Sequence, residues 1–447
     1  MSAAPSASSA VIDATARVVA SIVIIAAFGV SAAGAAQSPP CDVFCHSLHA
    51  RRAEAAGNYA EHEAHVRAIA GLAPSHPGVA YELARAFARR GNADSAIAAL
   101  TRMGAMGDTR DPNGDSVFNA LRSHRAYTAA RNQLLANRLP ILDGRLAFQL
   151  PDPDFLPEAL AYDSVRARFL IGSLARRTVA AVTPNGTTTP YLQAAPGVLR
   201  VVGVHIDPQR ERLWFATWAP DSSRLSDSSD VPSVTRLFLA DLATGRVIRS
   251  WVPHGGRPGH LLNDFVVMAD GSLVLTDTQR GFIYRLRSPT DTLELFLQPD
   301  PERLSAPNGV TASPDERALY VASIEGITRI DLATREVALV PAPDSVSTAA
   351  VDGLYWYRGS LVAVQGVPTM QRVVRFALTE DGRRIVAGHV LERGLPVVQQ
   401  PTTGTIVGMR FYYIANSQYG RLGDRGSVEP QTGSPVRTAI RAIDLRW

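Results

Sequence analysis

From Glu158 onward the chain alternates short apolar runs with polar turns, and six stretches restart in one register. Each has a polar or small residue, a run with strand character, a turn and a second apolar run. Glu158 opens EALAYDSVRARFLIGS, Val202 opens VGVHIDPQRERLWFAT, and Asn263 opens NDFVVMADGSLVLTD. Asn308 opens NGVTASPDERALYVAS, Asp352 opens DGLYWYRGSLVAVQ, and Thr403 opens TGTIVGMRFYYIAN. The starts recur at roughly 45 to 60 residues, the length of a four-stranded blade; the strands of a sandwich would not restart in register. The pattern predicts a mainly β fold, a six-bladed β-propeller over residues 139–447.

Outer strands are legible as GFIYRL, LELFL, ITRIDL and VALV, apolar and β-branched with little helical period. The segment ILDGRLAFQL precedes the first opening. It is expected to complete the last blade, so that pairing of the two chain ends closes the ring and removes an exposed edge.

In a propeller the inner strand of every blade starts beside the central channel, so equivalent first residues converge. Glu158, Asn263, Asn308 and Asp352 then supply two carboxylates and two carboxamides with a formal charge of about −2, suited to one divalent, calcium-type cation. Zinc would favour imidazole or thiolate, and no His or Cys holds an opening position. Val202 and Thr403 leave two directions weak, which gives room for water or substrate. An isolated Asn-Gly or Asp-Gly is usually a turn; the shared offset is what lifts Asn308-Gly309 and Asp352-Gly353 above that reading.

These openings resemble the gluconolactonase family that includes regucalcin (senescence marker protein). The resemblance implies a six-bladed propeller, a calcium-type ion in the channel, and hydrolysis of a lactone or related ester. It also implies that Glu158, Asn263, Asn308 and Asp352 are metal ligands and that Asp352 doubles as general base. Asp264, His205 and His260 are the other candidate proton acceptors. Family members commonly carry an Arg two residues before the third-blade Asn to grip sugar hydroxyls; here Leu261 stands there, with Leu262 and Phe265 near it. The expected substrate is therefore more apolar than a sugar-acid lactone. The alternative is a non-catalytic exported binding protein with a structural ion and a helical domain that recruits a partner.

Between His46 and Ala136 the period becomes helical and Ala-rich, with a Gly-Asn turn inside each half. AAGNYAEHEAHVRAI and ARRGNADSAIAAL resemble tetratricopeptide repeats, and SVFNALRSHRAYTAARNQL reads as further helix. Three units are needed to bury a solenoid core, so an N-terminal α-helical, tetratricopeptide-like domain over 46–138 is expected to lean on the propeller or on a partner. Its groove offers a peptide site, and a structural cap is the plainer role.

Residues 18–30, VVASIVIIAAFGV, follow Arg17 and precede Ala33-Gly34-Ala35. That is the layout of a signal peptide over 1–35, cleaved near Ala35 and followed by a linker over 36–45, with an uncleaved N-terminal anchor as the rival reading. A periplasmic or secreted bacterial location follows, without stable membrane insertion after cleavage. Cys41 and Cys45 are the only cysteines and suit a local disulfide there. CDVFCH has one residue too many for C-x-x-C-H, and covalent haem is not expected.

Net charge is +4, with 19% charged and 46% hydrophobic residues, which fits an ordered chain without a nucleic-acid face. All 45 basic residues are Arg, which excludes Schiff-base chemistry and a P-loop. A G-x-S-x-G nucleophile elbow is missing too. DSSRLSDSSD at 221–230 reads as a long exposed loop in the second blade.

Overall fold

The computed structural model describes residues 41–220, 233–253, 259–423, 426–431 and 433–445. The signal-peptide reading and the 221–230 loop lie outside the described residues. Within them, no helix is long and apolar enough to cross a membrane.

Two helix pairs come first, α1 (Val43–Ala55) with α2 (Tyr59–Leu72), and α3 (Pro77–Arg89) with α4 (Ala93–Ala105). The Gly-Asn turns work identically in both. Gly57 and Gly91 take φ of 73° and 74°, which glycine adopts without steric cost. Asn58 and Asn92 then cap the next helix by accepting from the backbone N–H of Glu61 and Ser95. Small residues let the helices approach: Ala80, Ala84 and Ala96 pack with Leu100, Met103 and Leu134. The stretch expected as one more helix is divided. Asp111 and Asp115 cap two short 3-10 turns, Pro112–Gly114 and Ser116–Leu121, and α5 starts only at Arg125 and runs to Ala136.

His76 caps α3, its Nδ1 accepting from the Gly78 N–H at 3.1 Å. Burial, with the Arg110 charge adding to it, lowers its pKa from 6.5 to about 4. The unfolded chain therefore binds the extra proton first, so stability is full above pH 6.5 and falls as pH drops towards 4. The loss approaches about 3 kcal/mol from this residue alone. Chemical denaturation at pH 7 and pH 4.5 should show that loss reduced in His76→Asn, which can cap without titrating; an unchanged pH slope would remove His76 as its source.

Strands follow as β1 (Ile141–Leu142), β2 (Gly144–Gln149) and then six sheets. Blade one is β3 (Pro157–Asp163), β4 (Arg168–Ser173), β5 (Thr178–Val182) and β6 (Thr188–Pro190). Blade two is β7 (Arg200–Asp207), β8 (Arg212–Pro220), β9 (Ser233–Asp241) and β10 (Val247–Trp251). Blade three is β11 (Leu262–Val267), β12 (Leu273–Asp277), β13 (Phe282–Leu286) and β14 (Glu294–Leu297). Blade four is β15 (Val310–Ala312), β16 (Ala318–Ala322), β17 (Ile327–Asp331) and β18 (Val337–Leu339). Blade five is β19 (Val351–Tyr357), β20 (Ser360–Val367), β21 (Met370–Leu378) and β22 (Ile385–Arg393). Blade six is β23 (Gly404–Val407), β24 (Arg410–Ile414) and β25 (Ala439–Asp444).

The inner strands meet in the cyclic order β3, β7, β11, β15, β19, β23 and back to β3. The fold is thus a six-bladed propeller with an N-terminal helical region. Closure comes from β2, which pairs with β25 as the outer strand of blade six. The leading dipeptide of that segment does not join it: Ile141 and Leu142 pair with Arg393 and Glu392, adding a fifth strand to blade five. One segment therefore bridges the last two blades.

A buried charge bolts this closure. Glu392, fully buried, accepts from Tyr413 Oη at 2.6 Å and from Arg441 Nη2 at 2.6 Å, while the same Arg441 nitrogen donates to Gly144 O at 2.8 Å. A Cβ on Gly144 would stand 2.5 Å from Glu392 Oε2, so glycine is required there. Glu392→Ala strands Arg441 and Tyr413 in the interior and should cost about 3 to 5 kcal/mol. Urea denaturation reads this, and a loss below about 1 kcal/mol would mean the closure does not depend on the pair.

The helical region rests on the edge of blade five. Ser75 Oγ meets Thr348 Oγ1 at 2.8 Å, Thr109 N donates to Thr369 O at 3.1 Å, and Thr369 Oγ1 donates to Asp108 Oδ2 at 2.7 Å. Arg393 Nη1 donates to Asn137 Oδ1 at 3.3 Å. Val351 pairs with Gln365, and Arg372 with Arg393. These contacts therefore lie at the end of blade five from which Asp352 opens.

Candidate functional site

The candidate ligands sit in irregularities of the inner strands. Ladder register shifts between Pro157 and Ala159, Val201 and Gly203, Leu262 and Phe265, and Val351 and Leu354. Those steps bracket Glu158, Val202, Asn263 with Asp264, and Asp352 with Gly353. A bulge takes a residue out of the ladder and re-aims its side chain. Asn308 lies just before β15, its N–H bonded to Ala322 O at 2.9 Å.

Hydrogen bonds join neighbouring openings into a belt. Thr276 Oγ1 donates to Asn308 O at 2.8 Å, Gly309 N to Asp352 O at 2.9 Å, Gly353 N to Thr402 O at 3.2 Å, and Thr403 Oγ1 to Glu158 O at 2.5 Å. Close approach dictates the two glycines: a Cβ on Gly309 would lie 2.3 Å from Asp352 O, and one on Gly353 2.6 Å from Tyr355 Oη. Asn308-Gly309 and Asp352-Gly353 are therefore seams between blades and not hairpin turns. Asn263 Nδ2 donates to Thr278 Oγ1 at 3.0 Å, which leaves its carbonyl oxygen as the acceptor.

The electrostatics are lopsided. Burial, reinforced by the charge of Asp352, pushes Glu158 well above the usual carboxylate range, and only Ser417 Oγ at 3.4 Å opposes it. Burial, with Asp264 adding to it and the Asn308 amide opposing, raises Asp352 to about 7. Two tyrosines feel the same field. Tyr355, whose hydroxyl accepts from Gly404 N at 2.6 Å, is raised by burial and Asp264; Tyr419 is raised by burial, Asp352 and Glu158. Among the described residues, no arginine acts on either carboxyl group. Two half-buried carboxyls without a cationic side chain, one of them bonded by the Asn308 amide, fit a hard divalent cation; among the described residues the Asn263 side chain is seen only on Thr278.

The other candidates separate. His205 Nε2 lies 2.8 Å from Asp264 Oδ1, and its ring packs 4.6 Å from that of Phe265. Asp264 Oδ1 also accepts from Phe265 N at 2.9 Å and Oδ2 from Val310 N at 3.2 Å. Both oxygens are thus engaged, so Asp264 is placed to orient His205 and not to take a proton from water. His260 Nδ1 meets Asp277 Oδ2 at 2.5 Å, with Asp277 Oδ1 accepting from Leu261 N at 2.9 Å. That pair is buried and fixes the loop entering blade three. The structure thus ties Glu158, Asn308, Asp352, Asp264 and His205 together and gives His260 a framework role.

The apolar residues around Leu261 take different places. Leu262 and Phe265 are fully buried between blades and cannot line the channel. Leu261 is partly buried against that same core, as are Trp218, Tyr419, Leu422 and Val428. The last three belong to the excursion between β24 and β25, which reaches across to blades one and two. Arg421 donates to Pro153 O at 3.0 Å and to Asp154 at 2.6 Å, and Arg200 Nη2 donates to Gly423 O at 2.9 Å.

No family model and no curated protein matches this chain. Solved structures similar to it include a gluconolactonase by provisional assignment, with TM-score 0.44 and 18% identity over 68% of this chain and 91% of that one. A catalytically inactive variant of virginiamycin B lyase from Staphylococcus aureus, with quinupristin, gives 0.41 and 15% over 66% and 97%. A PQQ-bound aldose sugar dehydrogenase from Streptomyces coelicolor gives 0.44 and 12% over 68% and 97%. At these identities the likeness concerns the fold.

Proposed function

We propose that this protein is a divalent-cation-dependent hydrolase of a lactone or related ester, working at the channel belt. The observation that carries the reading is the half-buried Glu158 and Asp352 pair, raised by desolvation and neighbouring carboxylate charge with no cationic side chain among the described residues to offset it. Glu158, Asp352 and the carbonyl oxygens of Asn263 and Asn308 would hold the ion, with calcium the best match to four oxygen donors. A bound ion of this kind supplies Lewis-acid polarisation of the ester carbonyl and a counter-charge for the developing oxyanion. His205, held by Asp264, takes the proton of the attacking water. Asp352 serves as ligand first, because a carboxylate held against a cation is a weakened base.

Leu261, standing where a sugar-gripping Arg would be expected, favours an apolar acyl or ring substituent over a polyhydroxylated one. The paired helices with their Gly-Asn turns continue to resemble tetratricopeptide repeats, and we assign them the role of a cap docked beside the channel mouth. Export with cleavage near Ala35 belongs to the same proposal; amino-terminal sequencing of the mature protein checks it.

Chelation is the direct test. Stripped protein should lose turnover on a panel of aliphatic and sugar lactones, and calcium should restore it. Its melting temperature should rise on calcium addition, by the equivalent of about 4 kcal/mol at 1,000 times the dissociation constant. A calcium-dependent rise in stability with no turnover on the panel would favour the non-catalytic binding protein.

A further inference from the structure

Away from the channel, the α1–α2 hairpin gathers three imidazoles beside the Cys41–Cys45 disulfide. His46 and His49 lie on α1 and His65 on α2. His46 Nδ1 and His65 Nδ1 face each other at 2.9 Å. His49 stacks on His65 with centroids 5.0 Å apart and planes 17° apart. The ligand atoms of Cys41, Cys45 and His49 lie within 4.8 Å of one another.

Facing Nδ1 atoms share one proton when one ring is the Nδ1–H tautomer; with both rings protonated on Nε2 instead, two lone pairs converge on the space between them, as two ligands of one ion would. A tetrahedral ion with bonds of about 2.0 to 2.1 Å holds neighbouring nitrogens about 3.3 Å apart. The His46 and His65 pair would need to open by only a few tenths of an ångström. Behind it, His65 Nε2 stands 4.0 Å from Glu61 Oε1, the side on which a metal-binding imidazole commonly meets a carboxylate. His49 is exposed, so a rotamer change can bring its nitrogen into the set at little cost. The disulfide ties both sulfurs to each other, so in this state the donors are imidazoles alone.

We propose that His46, His49 and His65 form a second metal site, for a borderline divalent transition ion such as Zn2+ or Cu2+, with the fourth position open to water. Three nitrogen donors select against calcium and magnesium, which separates this site from the oxygen belt. It does not depend on the hydrolase reading.

The test is zinc titration calorimetry on the full chain with its disulfide intact, in calcium sufficient to fill the belt. One zinc site is expected in the wild type, weakened about tenfold or more in His46→Gln and in His65→Ala, and unchanged in Asp352→Asn. Copper bound to the wild type should show nitrogen hyperfine structure in its paramagnetic resonance spectrum. Zinc affinity that survives both histidine changes, or that disappears in Asp352→Asn, overturns the assignment. So does wild-type copper without nitrogen coupling, which needs no variant to fold.

Discussion

Asp352→Ala should abolish turnover and cation binding together, lowering activity by about 10³-fold or more, equivalent to about 4 kcal/mol of transition-state stabilisation. Asp352 is central to the belt in three ways. Its carbonyl accepts from Gly309, its side chain meets the Asn308 amide, and its charge acts on Glu158. Truncation leaves Glu158 as the one carboxylate among the four proposed ligands, halving the formal charge that attracts the ion. The backbone bond to Gly309 survives, so the blade seam should hold. Stability in chelator should therefore fall little or even rise, because a buried acidic group is gone. Loss of the calcium-induced melting shift, with the chelated protein still folded, is the signature to look for. Turnover that persists in Asp352→Ala would reject the belt as the reaction centre.

Why the openings were legible while their surroundings were not follows from backbone geometry. A repeat places equivalent residues at one offset, so Glu158, Asn263, Asn308 and Asp352 could be aligned without knowing any distance. The bulges at three of those positions are a different matter. Each shifts strand parity by one, so alternation beyond the opening points to the wrong face. Leu262 and Phe265, legible only as neighbours of Leu261, are core residues between blades. Tyr355 was missed because of that parity shift, although its hydroxyl reaches the seam through the gap above Gly353. Tyr419 and Ser417 lie on an irregular excursion with no period at all, and nothing local announces that it crosses to blades one and two. The one local signal was its length between two apolar strands of a single blade. The Gly-Asn helix turns read correctly because their chemistry is contained within four residues.

His205→Ala should lower kcat by about 10²- to 10⁴-fold while leaving the calcium-induced melting shift intact. This separation is what distinguishes a proton acceptor from a ligand. His205 stands 30% exposed against Asp264 at 11%, so the imidazole is open to solvent while its partner is enclosed. Because Asp264 is anchored by the N–H groups of Phe265 and Val310, it can hold one ring nitrogen and direct the other at water. Asp264→Asn disturbs that orientation and should lower kcat with KM little changed. Added imidazole should partly rescue His205→Ala, whose cavity can admit it, and should not rescue Asp264→Asn, where the native ring is still present but wrongly held. If His205→Ala keeps its kcat within about threefold of wild type, less than about 1 kcal/mol of the barrier, the proton must leave by another route. Asp352, the other candidate base at the belt, would then be next in line, because burial raises its carboxyl and so its basicity.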